Sequence, residues 1–345
     1  MRQADWVRDL SQLPKAHLHL HLTGGMRPQT LLELAAAQGR SLPAELRDPA
    51  GTRVDVTVRR GWTRFQRQYD AARDLLVGPG EVRRVVRELV EDEVGAGSGW
   101  LELQVDPTTY APRLGGLQAC VELLLDELAA AGRELGVGTA LVIAANRTRH
   151  PGDAETLARL ARRFAGRGVV GFGLSNDETR GQMADFAKAF RIARDAGLLP
   201  VPHAGELRGP RSVRDAVVEL GAVRLGHGVR SVEDPALLEL LAERQVVCEV
   251  CPASNVALGV APEAAAVPVR ALREAGVPVA LGADDPLLFR SGLLAQYAAA
   301  RDDLGLDDAA LADLAACSVR GSTAPAGVQA RLLAGVAGWL AAPPA

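Results

Sequence analysis

Ala16-His17-Leu18-His19-Leu20-His21-Leu22 alternates apolar residues with imidazoles and runs into Thr23-Gly24-Gly25. Alternation with period two is the pattern of a β-strand, whose successive side chains point to opposite faces. Three further apolar runs end in polar clusters. Leu199 to Pro202 leads into His203-Ala204-Gly205-Glu206, Val223 to Gly226 into His227-Gly228, and Val277 to Leu281 into Gly282-Ala283-Asp284-Asp285-Pro286. The chain has six histidines, five of them in these clusters. Imidazoles and carboxylates placed just past apolar strands point to one metal site assembled from several strand ends.

Longer amphipathic segments separate the apolar runs, which is the signature of βα units and a parallel sheet. Eight strands are predicted: 16–22, 100–105, 139–145, 169–174, 199–202, 223–226, 246–250 and 277–281. A helix over 28–38 begins with Pro28 in its first turn. Residues 40–60 read as a loop excursion, and a helix over 81–95 precedes strand two. Trp62, Phe65 and Tyr69 recur at spacings of three and four, so they share one helical face. That face packs in the core or caps a barrel mouth as a lid. Further helices follow from Asp307. The prediction is an α/β fold, a (β/α)8 TIM barrel with extra helices after strand one and at the C-terminus, forming one domain over 1–345.

The 345 residues are 48% hydrophobic, ample for a large core, and the formal net charge is −3. With an isoelectric point near 6.1, the chain lacks the electrostatic footprint of a nucleic-acid or anionic-membrane binder. A small-molecule partner is expected. Four irregularly spaced cysteines are too few for a disulfide scaffold, and they fit a reducing cytoplasm. Met1 to Trp6 contains no apolar leader core, and no run reaches membrane-spanning length, so a soluble cytoplasmic protein is expected. The Ala-Pro tail reads as a frayed end.

His19 and His21 share a strand face and can chelate one ion; by period two His17 shares it as well, so alternation leaves open which two bind. His203, with Glu206 three residues on, offers a ligand and a nearby acid/base. Asp284 and Asp285 follow an apolar strand, where adjacent carboxylates repel and need a cation or a donor. Such N and O donors suit zinc or a similar first-row divalent ion with at least one position open to water, whose pKa then falls towards about 7. Glu206 would shuttle protons and His227 orient the nucleophile, making metal-assisted hydrolysis the reaction class. Neither lysine sits just after strand four, where one would bridge two metals: Lys15 precedes the histidine cluster and Lys188 lies mid-helix. Cys248 and Cys251 have CxxC spacing but no second pair, and read as strand residues.

In their order, these clusters resemble the adenosine deaminase family. The resemblance rests on Pro14 to Leu22 followed by Gly24, Gly173-Leu174-Ser175-Asn176-Asp177-Glu178, His203-Ala204-Gly205-Glu206, Arg224-Leu225-Gly226-His227-Gly228, Cys251-Pro252-Ala253-Ser254-Asn255 and Asp284-Asp285-Pro286. It implies a metal-dependent hydrolase that replaces the 6-amino group of a purine nucleoside by an oxo group and releases ammonia. It selects His19 and His21 over His17, and adds His203 and Asp284 as the other ligands of one zinc. It implies that Glu206 protonates N1, His227 assists the hydroxide, Asp285 meets N7 and the backbone of Asn176, a glycine in the family, meets N3. His21 would also face the substrate.

Many family members carry an aspartate for the ribose 5′-hydroxyl where this chain has Thr23. Arg27 follows closely and could pair with a carboxylate. A 5′-substituted adenosine is therefore expected, as in the 6-aminodeoxyfutalosine deaminases of an alternative menaquinone pathway. Adenosine or 2′-deoxyadenosine is the alternative. Adenine ranks lower, because adenine deaminases typically carry a Ser-rich segment where this chain has Ser175-Asn176-Asp177-Glu178. A non-catalytic zinc-binding barrel ranks lower too, because no ligand is missing.

Overall fold

Eight parallel strands pair in sequence order in a computed structural model that describes residues 8–343. The reading of Met1 to Trp6 and the last two residues of the tail lie outside that range. The strands are β1 (Lys15–His21), β2 (Ser98–Val105), β3 (Gly138–Asn146), β4 (Val169–Ser175), β5 (Leu199–Ala204), β6 (Arg224–His227), β7 (Val247–Val250) and β8 (Val279–Leu281). Helices alternate with them, as the TIM-barrel prediction requires. The seam between β8 and β1 is made by a residue beyond β8. The Asp284 amide donates to the His19 carbonyl at 3.0 Å, and the His21 amide donates to the Asp284 carbonyl at 3.1 Å. One member of the fourth polar cluster thus joins the ends of the sheet.

β5 and β6 run further than the sequence predicts because His203 pairs with Gly226 and Ala204 with His227. These two histidines are strand residues and inherit the rigidity of the ladder. Gly226 is required between them. A Cβ there would lie 2.8 Å from His19 Cε1 and 2.9 Å from His203 Cγ, closer than packed atoms tolerate.

Between β1 and β2 the chain forms α1 (Pro28–Ala37), α2 (Ala44–Arg47), α3 (Gly61–Arg73) and α4 (Pro79–Ala96). The predicted loop over 40–60 contains the single turn α2 and is pinned across the barrel's C-terminal end. Amides of Thr52, Val54 and Val56 donate to the carbonyls of Leu288, Ala257 and Leu258 at 2.7, 2.9 and 2.9 Å. The excursion thereby delivers α3, with its aromatic face, to the barrel mouth. At the opposite end, helices Asp308–Gly321 and Ala326–Ala341 close the floor. Ala16, Leu18, Ala140, Ala280 and Val319 pack there as a cluster with almost no exposure; burying a side chain the size of Leu18 stabilises by about 1.5–3 kcal/mol. Among the described residues no helix is long and apolar enough to cross a membrane.

Candidate active site

β1, β5 and the segment after β8 converge their predicted ligands. His21 Nε2 lies 3.2 Å from His203 Nε2 and 3.3 Å from Asp284 Oδ1, and His19 Nε2 lies 3.4 Å from the same oxygen. Ligand atoms about 2.05 Å from a tetrahedral zinc are separated by roughly 3.3 Å, so the spacing suits that ion. His19 Nε2 is buried with no hydrogen-bond partner, an orphaned position that a metal would satisfy. His19, His21, His203 and Asp284 form one group with its donor atoms within 4.8 Å of one another.

Charge at the cluster favours a cation. Burial disfavours protonated His19, yet the carboxylates of Asp284, 3.4 Å from Nε2, and of Glu249 outweigh burial and hold its pKa at about 10. A metal would take up the same negative charge and displace that proton. Burial likewise opposes ionised Asp284, but the close imidazoles of His19 and His21 hold it well below the carboxylate range. Ser254 Oγ donates to its other oxygen at 2.6 Å. Burial, then the neighbouring histidines, drive the His203 pKa far down, leaving a neutral imidazole suited to ligation.

His19 Nδ1 meets Glu249 Oε2 at 3.0 Å. The other oxygen of Glu249 lies 2.7 Å from Arg224 Nε, whose Nη2 donates to Glu102 at 2.6 Å. This carboxylate fixes the His19 tautomer, with Nδ1 protonated and Nε2 turned to the metal position. All three charged residues read in the sequence as ordinary strand positions.

His17 does not share the face of His19. Register between β1 and β2 shifts between His17 and Leu20, and such a bulge reverses the alternation. His17 instead meets Glu93 of α4 at 2.6 Å, and its Nε2 accepts the Ala283 amide at 3.0 Å. It braces the segment that carries Asp284.

Beside the cluster, Glu206 is buried, and burial, followed by the charges of Asp284 and Glu178, raises its pKa well above the usual carboxylate value. Burial thus favours its neutral form. His227 Nε2 lies 3.6 Å from it, and burial lowers the His227 pKa to about 3, keeping the ring neutral. Burial and the adjacent Asp284 raise Asp285 well above its usual value, and its Oδ1 has no partner. Gly24 makes room for that oxygen, since a Cβ there would come within 1.7 Å of it. Asn176, His227 and Asp284 all have positive φ, at 77, 68 and 60°. Each such conformation costs on the order of 1–3 kcal/mol and survives where its surroundings enforce it.

Trp62, Phe65 and Tyr69 all line a cavity of about 90 Å³ above the cluster, against roughly 300–1,000 Å³ for an ordinary ligand pocket. Trp62 Nε1 donates to Asn176 Oδ1 at 3.2 Å, and Asn176 Nδ2 donates to Gln66 at 3.1 Å. The α3 face is thus tied to the end of β4. Thr23 is completely buried and lies 2.6 Å from the hydroxyl of Tyr110, whose ring forms cavity wall. Tyr110, on the loop after β2, gave no periodic signal in the sequence.

Arg27 does not join the site. It precedes α1 with its guanidinium turned to α4, where it bonds Asp92 at 2.7 Å and Glu91 at 3.1 Å, and it does not line the cavity. The expected carboxylate contact from Arg27 is corrected on that ground. Cys248 and Cys251 are free and buried. Cys251 sulfur lies within 4.8 Å of donor atoms of His227 and Asp284, but burial raises its pKa well above the usual thiol value, so it stays a thiol.

Three imidazoles and a carboxylate at the C-terminal ends of a (β/α)8 barrel, with a buried acid alongside, define a metal-binding hydrolase of the amidohydrolase fold. The family profile described as adenosine deaminase matches residues 14–339. A Streptomyces coelicolor relative named as an adenosine/adenine deaminase is 61% identical, over 97% of this chain and 99% of its own. Among solved structures, the adenine deaminase of Arthrobacter aurescens superposes with a TM-score of 0.86 at 28% identity, covering 95% of this chain and 99% of that one. A zinc-bound amidohydrolase from Burkholderia ambifaria gives a TM-score of 0.85 at 25% identity, covering 96% and 91%. The chain belongs to the adenosine deaminase family, and it is a hydrolase that acts on C–N bonds by deamination.

Proposed function

We propose that this enzyme uses one zinc ion to hydrolyse the 6-amino group of free adenine, giving hypoxanthine and ammonia. The observation that carries the choice of a free base is the Tyr110–Thr23 pair. Where the family resemblance puts a ribose contact, Thr23 is buried and its hydroxyl is engaged by the Tyr110 hydroxyl. The small cavity supports the same reading, as does the resemblance to a protein named adenine deaminase. Arg27 is engaged by Asp92 and is not turned to meet a 5′-carboxylate. This reverses the ranking drawn from the segment after β4.

When bound, zinc supplies a water activated for attack near neutral pH. Glu206, neutral by burial, donates to N1 as the water attacks C6, then carries the water's proton to the departing amine. Neutral His227 accepts a hydrogen bond from the attacking water and aligns it. Protonated Asp285 donates to N7 through its unpartnered carboxyl, and the Asn176 amide is assigned to N3. Trp62, Phe65 and Tyr69 cover the base and exclude bulk water.

Tyr110→Ala is expected to raise kcat/KM for adenosine by roughly ten-fold or more, the scale of opening an apolar pocket. Steady-state rates of ammonia release from adenosine and adenine check it. An unchanged adenosine rate in a folded, metal-loaded variant would remove Tyr110 as the gate.

A further inference from the structure

The loop that carries Glu206 is held by a single carboxylate. Glu178, 1% exposed, follows β4 and reaches beneath residues 205–208. Its Oε1 accepts the Gly205 amide at 2.7 Å and the Ser212 hydroxyl at 2.6 Å. Its Oε2 accepts the amides of Glu206, Leu207 and Arg208 at 2.9, 2.6 and 2.9 Å. Among the described residues these four amides have no backbone acceptor. The segment is neither helix nor strand, so no ladder would replace Glu178. Gly205, with φ 73°, turns the chain so that consecutive N–H groups converge on one anion, as in an anion-binding nest. Buried Arg147 adds positive charge and donates to the His203 carbonyl, tying the other end of the loop.

We propose that Glu178 is the positioning residue for Glu206, fixing the backbone from which the catalytic carboxyl reaches the base. The assignment rests on the proton-transfer role given to Glu206 above. Charge-assisted bonds are about twice as strong as neutral ones. A neutral amide at 178 would set an NH2 group against N–H donors, leaving at least one buried amide unpaired. The loop would then shift, and a misplacement of about 1 Å costs on the order of 10²-fold in rate.

The test is a double-mutant cycle with Glu178→Gln and Glu206→Gln, read on folded, zinc-loaded protein. Expected is a fall in kcat of about 10²-fold for Glu178→Gln alone, with KM and zinc content nearly unchanged. In the Glu206→Gln background the same change should alter residual kcat less than about three-fold, because residues acting as one unit are non-additive. Equal factors in both backgrounds, or an unchanged kcat in the single variant, would overturn the assignment. If Glu206→Gln itself is fully active, the role of Glu206 fails first, a different outcome from additivity. Should Glu178→Gln not fold, Ser212→Ala removes one bond to the same carboxyl. It should give a smaller fall in kcat, again absent when Glu206 is already Gln; a fall that persists there would count against the proposal.

Discussion

Glu206→Gln is expected to lower kcat by about 10²–10⁴-fold, the range for losing a positioned general acid/base, while zinc is retained. The side chain keeps its size but cannot deliver and recover a proton. The change should also remove a buried carboxyl whose pKa burial and the charges of Asp284 and Glu178 drive upward, so packing around His227 should tolerate it. Turnover with adenine, alongside zinc content after dialysis, checks the division of roles. If zinc leaves with the activity, Glu206 is part of the metal site and the proton-transfer role is wrong.

Asp284→Asn should weaken zinc binding by more than about 100-fold. Losing an outer-shell partner of a metal ligand already costs about 10–100-fold in affinity, and here a charged ligand itself is neutralised. Asn tolerates the positive φ at this position, and the amide and carbonyl that close the barrel seam belong to the backbone. The fold should therefore persist while the metal is lost. Competition against a chromophoric chelator measures the affinity, and circular dichroism checks the fold. Tight zinc binding by the folded variant would place the ion elsewhere.

Alternation and abrupt polar endings made the barrel legible. A strand buried on both sides still announces itself as a short apolar run, and the residues just past it are the ones an α/β barrel presents at its mouth. The spacing of His19 and His21, and the positions of His203, Glu206 and Asp284, could be read for the same reason. His17 was misplaced because a bulge changes the facing of residues without changing their spacing. Arg27 was misplaced because its partner Asp92 lies on α4, 65 residues along the chain.

Tyr110 and Glu249 needed the fold before they meant anything. Tyr110 sits in irregular chain after β2 and acquires a role only through the threonine it hydrogen-bonds. Glu249 lies within a strand, and its pairing with His19 reaches past β8 from β7 to β1. Glu178 was visible within a motif, but its partners are mainly backbone amides, which carry no sequence signal.

The kcat/KM values of the zinc-loaded enzyme for adenine, adenosine and a 5′-carboxylate-bearing adenosine test the preference for a free base. Adenine should lead both nucleosides by at least about 100-fold, the scale of a steric or unpaired-polar exclusion from a closed site. A nucleoside turned over as well as adenine would rule out a free-base preference.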